Sequence, residues 1–182
     1  MTKTGEGTLI LDAPATAANV IVSKGELDLN GIVTGNVDVK SGTTFSPGND
    51  VGAATVDGTF TAEAGSTLRF ERNANGQVDS LTALEFNIDE ATRIELALGT
   101  FGAAAEIDLI TNSSETGFTP EQSTPDFWMR KLVEALPHYM DLSVFNNSIV
   151  RLTVDGNAIP EPSTWVILLL GAFGLFYSRK RK

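Results

Sequence analysis

The chain has 182 residues, no cysteine, and 13 Lys and Arg against 23 Asp and Glu, which gives a formal net charge of −10. Four of the cations stand together at Arg179–Lys182, so residues 1–159 carry nine cations against 22 acidic residues. An acidic body repels phosphate backbones, which argues against nucleic acid as a partner. The lack of cysteine excludes disulfides, thiolate nucleophiles and thiolate metal sites.

The first residues do not have the pattern of a secretory signal peptide. Met1 to Gly7 contain one cation and no apolar stretch. Repeat-like sequence already begins at Gly5. We therefore expect that the body is N-terminally truncated here and that an export signal lies upstream.

Residues 8–110 are a series of short segments in which apolar and polar residues alternate, the pattern of strands with one buried face. Glycine, asparagine and aspartate separate these segments and supply tight corners. The alternating sets are Leu9/Leu11, Val20/Val22, Leu27/Leu29, Val37/Val39, Phe60/Ala62, Leu68/Phe70 and Ile94/Leu96/Leu98.

Internal similarity favours stacked coils over a sandwich. The segments 25–31, 35–42 and 58–65 share one order: glycine, polar, apolar, polar, apolar, then polar residues that close on glycine. Repetition of this kind is typical of solenoid proteins.

The stretch Asn30–Gly35, followed by Gly42–Asn49 and Val56–Glu71, resembles the passenger repeats of autotransporters. The likeness extends more loosely over most of residues 5–157. It implies an all-β body folded as a right-handed parallel β-helix, or β-solenoid.

One segment departs from the strand pattern. Between Thr124 and Met140 apolar residues recur near helical spacing, with Thr124 as N-cap, Pro125 at the first helical position and Pro137 as terminator. We expect a short helical capping segment over the last coils; the alternative is an amphipathic helix that binds a partner. The segments 142–144 and 149–154 return to strand character and are expected to close the fold.

The C-terminal tail has three parts with different physical roles. Residues 158–164 form a Pro-rich linker, residues 165–178 a predicted transmembrane helix, and Arg179, Lys180, Arg181 and Lys182 a basic cytoplasmic stop. The apolar run Trp165–Tyr177 rises only about 20 Å as a helix, against a hydrocarbon core of about 30 Å. It is therefore a weak permanent anchor. The prolines keep the preceding segment extended and accessible.

This order resembles the PEP-CTERM sorting signal of exopolysaccharide-producing Gram-negative bacteria. Pro160, Glu161 and Pro162 match its motif residue by residue. The resemblance implies recognition by an exosortase, removal of the tail and delivery to the cell surface or matrix. The alternative is an ordinary tail-anchored protein.

Candidate catalytic and metal residues are sparse. His138 is the single histidine, so a Ser/His/Asp arrangement has one candidate base and a two-histidine metal site cannot form within the chain. Residues 71–82 have the oxygen ligands of a calcium loop at the first, third and fifth positions, but Thr82 stands where the bidentate carboxylate belongs. We predict no catalytic residues, no metal and no cofactor.

These observations predict a non-catalytic exported protein, inserted transiently in the inner membrane, then released to the surface or extracellular matrix and associated with exopolysaccharide. The domain boundaries that we predict are 1–157 for the body, 158–164, 165–178 and 179–182. Two alternatives belong to other classes: a β-helix enzyme that modifies polysaccharides, and an autotransporter-type adhesin fragment.

Overall fold

The computed structural model describes residues 1–12, 14–16 and 19–156. These residues are mostly β-structure, which confirms the predicted all-β class. In chain order they form β1 (Thr2–Lys3), β2 (Thr8–Leu11), β3 (Asn19–Val22), β4 (Glu26–Leu29), β5 (Gly31–Val33), β6 (Asn36–Val39), β7 (Thr44–Ser46), β8 (Ala53–Ala62), β9 (Thr67–Glu71), β10 (Ser80–Ile88), β11 (Arg93–Ala97), β12 (Ala105–Asn112), α1 (Pro125–Met129), β13 (Met140–Phe145) and β14 (Ile149–Val154).

The described strands form two sheets. The large sheet has nine strands in the order β1-β3-β6-β8-β10-β12-β14-β13, with β5 also paired to β8. The small sheet has five strands in the order β11-β9-β7-β4-β2. All pairings are parallel except β12 with β14 and β14 with β13.

From β2 to β12 the chain alternates between the two sheets, and β5 and β6 both belong to the large one. Apart from β2, the first strand of the small sheet, and β5, which pairs with the later β8, each of these strands pairs with an earlier strand of its own sheet. In the small sheet, for example, Leu9 is in register with Leu27, and Leu27 with Phe45. Equivalent residues of successive strands therefore form straight rows across each sheet.

The core lies between the inward faces of the two sheets. The predicted inward residues of β3, β4, β6, β8 and β9 are buried, as the alternation requires. Leu9, Leu11 and Leu96 are partly buried and pack against this core. Because every strand from β3 to β12 contributes at least one buried apolar side chain, the core is continuous along the body.

Two glycines show why the corners need this residue. Gly25 has φ +68°, and a Cβ atom there would lie 2.5 Å from the carbonyl oxygens of Glu6 and Gly7. Gly48 has φ +109°, and its Cβ would lie 2.5 Å from the backbone nitrogen of Gly52. A side chain is therefore excluded at Gly25 by the neighbouring turn of the chain and at Gly48 by the backbone of its own corner.

The last two strands form an antiparallel hairpin, and the predicted strands at 142–144 and 149–154 are confirmed. Its turn has Asn146 and Asn147 at φ +50° and +57°, and the Ser148 amide donates to the Phe145 carbonyl at 3.1 Å. Two positive φ values are typical of hairpin turns, and asparagine tolerates them better than most residues.

The predicted helix at 124–140 is much shorter than expected. Thr124 is the N-cap and Pro125 is in the first turn, as predicted, but α1 ends at Met129, so the prediction of Pro137 as terminator is wrong. The Thr124 hydroxyl makes no capping bond and donates to the Glu121 carbonyl instead. Beyond α1, Leu132 forms a parallel bridge with Ile94 at the edge of the small sheet. Pairing with that edge replaces further helical turns.

Aromatic rings connect this capping segment to the core. Phe127 and Trp128 of α1 are buried, and the Trp128 indole donates to the Gln122 carbonyl at 2.6 Å. Neighbouring ring centroids are 4.9 to 5.9 Å apart along the series Phe45, Phe60, Phe86, Phe118, Trp128 and Phe127. The segment is therefore part of the core rather than a separate surface helix.

Candidate functional site

The outer face of the large sheet carries a straight row of side chains, one from each of six neighbouring strands. Each threonine in it lies between two buried residues of its own strand, so its side chain points outward. At the usual strand spacing of about 4.8 Å the row is about 24 Å long. In order, the row is Ile32, Thr55, Thr82, Thr111, Ile149 and Phe145.

The three threonine hydroxyls of this row make no hydrogen bond to another described residue. Other threonines of the body use their hydroxyls internally: Thr43 donates to the Lys40 carbonyl at 2.7 Å, and Thr92 to the Ala62 carbonyl at 3.1 Å. The row hydroxyls therefore remain able to bind a ligand. At its ends, the row has exposed apolar surface on Ile32 and Phe145.

Acidic groups surround this row. Glu85 is exposed on β10, and Glu106 and Asp108 are exposed on β12. Arg151 of β14 is the cation among them, and its guanidinium donates to Asp108 at 2.6 Å and to Glu106 at 2.8 Å. A face of this charge disfavours anionic ligands.

A second polar group lies at the corner that follows β7. The Asp79 carboxyl is fully buried; its Oδ1 accepts from the Gly52 amide and its Oδ2 from the Glu71 amide, both at 2.7 Å. In addition, the Ser80 amide donates to the Gly52 carbonyl at 3.1 Å. Asp79 therefore joins the end of β9, the corner before β8 and the start of β10.

Asp28 lies nearby on the outer face of the small sheet, between the inward residues Leu27 and Leu29. Only 7% of Asp28 is exposed, and its Oδ1 has no hydrogen-bond partner among the described residues. Ser46, its register partner on β7, is 2% exposed, and its Oγ is also without a partner there. We call Asp28, Ser46, Glu71 and Asp79 the acid corner.

Burial raises the pKa of both carboxyl groups. The pKa of Asp79 rises to about 7, mainly through desolvation, although the amides of Gly52 and Glu71 lower it. The pKa of Asp28 rises to about 6 through desolvation and the charges of Glu26 and Glu71. Sequence patterns did not reveal either group, since an aspartate at an outward strand position, such as Asp28, or in a connection between strands, such as Asp79, is normally solvated.

The calcium-like loop at residues 71–82 is closed on itself. Asn73 Oδ1 accepts from the amides of Asn75 and Gln77, and its Nδ2 donates to Gln77 Oε1 at 2.9 Å. Thr82, at the twelfth position, lies on the large sheet in the threonine row. The Asn73 oxygen, at the third ligand position, is therefore engaged within the loop, and the twelfth position supplies no carboxylate.

His138 is exposed, and its ring packs edge-on against Tyr139 with centroids 5.5 Å apart. Within the described part of the chain, no three His, Asp or Glu side chains are grouped so that they could hold a metal ion.

The predicted sorting residues Pro160, Glu161 and Pro162, the predicted transmembrane helix at 165–178 and the basic residues 179–182 lie outside the described residues. Between residues 1 and 156, apart from the gaps at 13 and 17–18, no helix has the length and apolar character needed to cross a membrane.

The tail is similar to a known family. The PEP-CTERM protein-sorting motif matches residues 158–182, which confirms the resemblance inferred from Pro160, Glu161 and Pro162. No curated protein matches the chain. The body thus is all-β, and the tail carries a PEP-CTERM sorting signal. Such a signal implies processing by an exosortase and export to the cell envelope or surface.

Proposed function

We propose that this chain is a non-catalytic protein of the cell surface or extracellular matrix. In this proposal the tail holds the body briefly at the inner membrane, and an exosortase then removes the tail. The observation that carries the proposal is the sorting motif at residues 158–182, directly after a body that ends in the β13–β14 hairpin. An acidic, strand-rich body followed by a removable signal suits display outside the cell.

The body, in this proposal, is a right-handed parallel β-solenoid of the autotransporter-passenger type. Three features support this: the chain alternates between two sheets, strands β2 to β12 pair in parallel, and glycine corners recur at Gly25, Gly42 and Gly65. The antiparallel β13–β14 hairpin and the capping segment would then protect the final coil from pairing with other chains.

The ligand that we propose is an extended neutral polysaccharide, bound along the row from Ile32 to Phe145. The free hydroxyls of Thr55, Thr82 and Thr111 supply hydrogen bonds at a regular spacing. Phe145, which is 46% exposed and has the Arg151 guanidinium 4.7 Å from its ring centroid, supplies apolar contact at one end of the row. The acidic surroundings disfavour an acidic polymer. Each contact is weak, so binding depends on several contacts at once.

The export proposal is tested by the mass of the protein recovered from the cell surface of an expressing Gram-negative host that has an exosortase. Loss of about the last twenty residues is expected. A full-length chain in the inner-membrane fraction would instead support simple tail anchoring, and a full-length chain in the cytosol would contradict both.

Polysaccharide binding is tested by co-sedimentation of the purified body with an insoluble neutral polysaccharide. Valine at positions 55, 82 and 111 keeps the shape and strand propensity of threonine but removes the hydroxyl. At about 1 kcal/mol for each hydrogen bond, the triple variant should bind roughly 100-fold more weakly.

The matched control carries valine in place of Thr8, Thr44 and Thr67. These three residues lie in one register row of the small sheet. Binding by this variant should equal that of the wild type. An equal loss of polysaccharide binding in both triple variants would argue against specific binding along the row from Ile32 to Phe145. Cleavage of an acidic polysaccharide in the presence of calcium would favour the enzyme alternative instead.

A further inference from the structure

The acid corner contains buried polar atoms that the fold leaves uncompensated. Asp28 Oδ1 and Ser46 Oγ belong to register partners on adjacent strands, and each is buried without a hydrogen bond among the described residues. A buried ionised carboxylate in this state is unfavourable. A proton on Asp28 removes this buried charge.

The charges that face Asp28 are mostly of its own sign. Glu26 lies on the same strand, Glu71 on β9, and Asp12 follows β2; each raises the pKa of Asp28. Arg69 of β9 is the opposing cation, but its guanidinium binds Glu26 at 2.6 Å and Glu95 at 3.5 Å.

Asp79 experiences the same negative surroundings, since Glu71 and Asp28 are the charges that raise its pKa. Its two bonds to the amides of Gly52 and Glu71 connect the turn after β7 to the end of β9. The protonation of Asp28 and Asp79 is therefore coupled to the packing of neighbouring turns of the chain.

We propose that the acid corner binds protons reversibly and makes the folded body more stable in mildly acidic surroundings than at neutral pH. Glu71 lies within range of both buried carboxyl groups. The charge of Glu71 raises the pKa of both, and the charge of Asp28 also raises that of Asp79, so the two proton sites are coupled.

The direction of this effect follows from the pKa shifts. The pKa of Asp28 is 3.8 when unperturbed and about 6 in the folded protein, and that of Asp79 is about 7. Between pH 3.8 and these higher values the folded state binds more protons at the two groups than the unfolded state does, so their contribution to stability is fully present below pH 3.8. It is lost as the pH rises through 6 and 7.

Asp28→Asn tests the proposal, because asparagine has the shape of the protonated acid and cannot ionise. Urea unfolding of the whole body should give similar folding equilibrium constants for wild type and variant at pH 4. At pH 8 the constant of the variant should be larger by about 50-fold, the change expected from the shift of Asp28 alone.

Asp57→Asn is the control, because Asp57 is exposed on the large sheet. The ratio of its folding equilibrium constant to that of the wild type should be the same at pH 4 and pH 8. If the same ratio for Asp28→Asn also stayed constant between pH 4 and pH 8, the proposal would be overturned.

A direct measurement covers the case in which the Asp28→Asn variant does not fold. In the wild-type protein, the carboxyl ¹³C resonance of Asp28 should titrate with a midpoint near pH 6. A midpoint near 3.8 would contradict the proposal whatever the variant does.

Discussion

Ile94 and Leu132 form a parallel bridge that attaches the capping segment to the edge of the small sheet. The Ile94 amide donates to the Lys131 carbonyl at 2.7 Å, and the Val133 amide donates to the Ile94 carbonyl at 2.9 Å. Because β11 is the last strand of its sheet, these bonds occupy backbone groups that would otherwise be open to another chain. Beyond this bridge, β11 and the capping segment line a groove of about 430 Å³, and Leu96 and Leu136 are among the residues that line it.

Trp128 is the side chain by which the capping segment is held in the core. Trp128→Ala should lower the free energy of unfolding by about 4 kcal/mol, since it removes a fully buried indole and its 2.6 Å bond to the Gln122 carbonyl. Equilibrium unfolding in urea measures the change. Loss of the cap should also increase aggregation, seen as light scattering at higher protein concentration.

Met129 provides the matched control for Trp128. It is the next residue of α1 and is 37% exposed. Met129→Ala should change stability by less than about 1 kcal/mol. If Trp128→Ala and Met129→Ala both changed the free energy of unfolding by the same small amount, the capping segment would not be part of the cooperative core.

Gly48 should not tolerate a side chain. Gly48→Ala places a Cβ 2.5 Å from the Gly52 nitrogen at φ +109°, so we expect a loss of more than about 2 kcal/mol in urea unfolding. Gly102, whose Cβ would meet no atom within 4 Å, is the control. Gly102→Ala should be neutral or stabilise the body by up to about 1 kcal/mol. If Gly48→Ala and Gly102→Ala changed the free energy of unfolding equally, the corner at Gly48 would be able to rearrange.

The strands and their inward faces were predictable because they depend on local alternation. Val37 and Val39, or Leu68 and Phe70, need no distant information to be assigned to a buried face. The tail was predictable for a similar reason, since its motif is a contiguous stretch of sequence.

The acid corner and the threonine row were not predictable, because both depend on contacts between distant residues. Asp28 occupies an outward position, and its burial follows from what lies beside it in the small sheet: Ser46, Arg69 and the turn that Asp79 holds. Likewise Thr55, Thr82 and Thr111 become one row only when the register of three strands is known. The length of α1 depends on Leu132 pairing with Ile94, which helical periodicity does not reveal.

Arg69 should contribute modest, salt-dependent stability. It lies on β9 and binds Glu26 on β4 at 2.6 Å, so this ion pair spans β7. Both side chains are partly exposed, and a double-mutant cycle with Arg69→Met and Glu26→Gln should give a coupling energy of about 0.5–1 kcal/mol. The coupling should fall in 1 M NaCl, because salt screens exposed charges.

Arg69 is also the cation that lowers the pKa of Asp28. In Arg69→Met the carboxyl ¹³C midpoint of Asp28 should therefore move above about 6. A downward shift would mean that the guanidinium does not act on this carboxyl group.

The sorting motif should be separable from the fold. Replacing both Pro160 and Pro162 by alanine should block removal of the tail, because the motif match at 158–182 includes both prolines. The body should keep its unfolding midpoint, because both positions follow the last strand, Ile149–Val154. The protein should then accumulate at full length in the membrane fraction, as measured by mass spectrometry.

Pro137→Ala is the control for the loss of a proline, because Pro137 is exposed and belongs to the body. This variant should be processed like the wild type. Release of the double variant at the wild-type rate, with the same mature mass, would mean that the prolines are only a linker. A double variant that loses both processing and its unfolding transition would instead show that the linker supports the fold, contrary to its position after the closing hairpin.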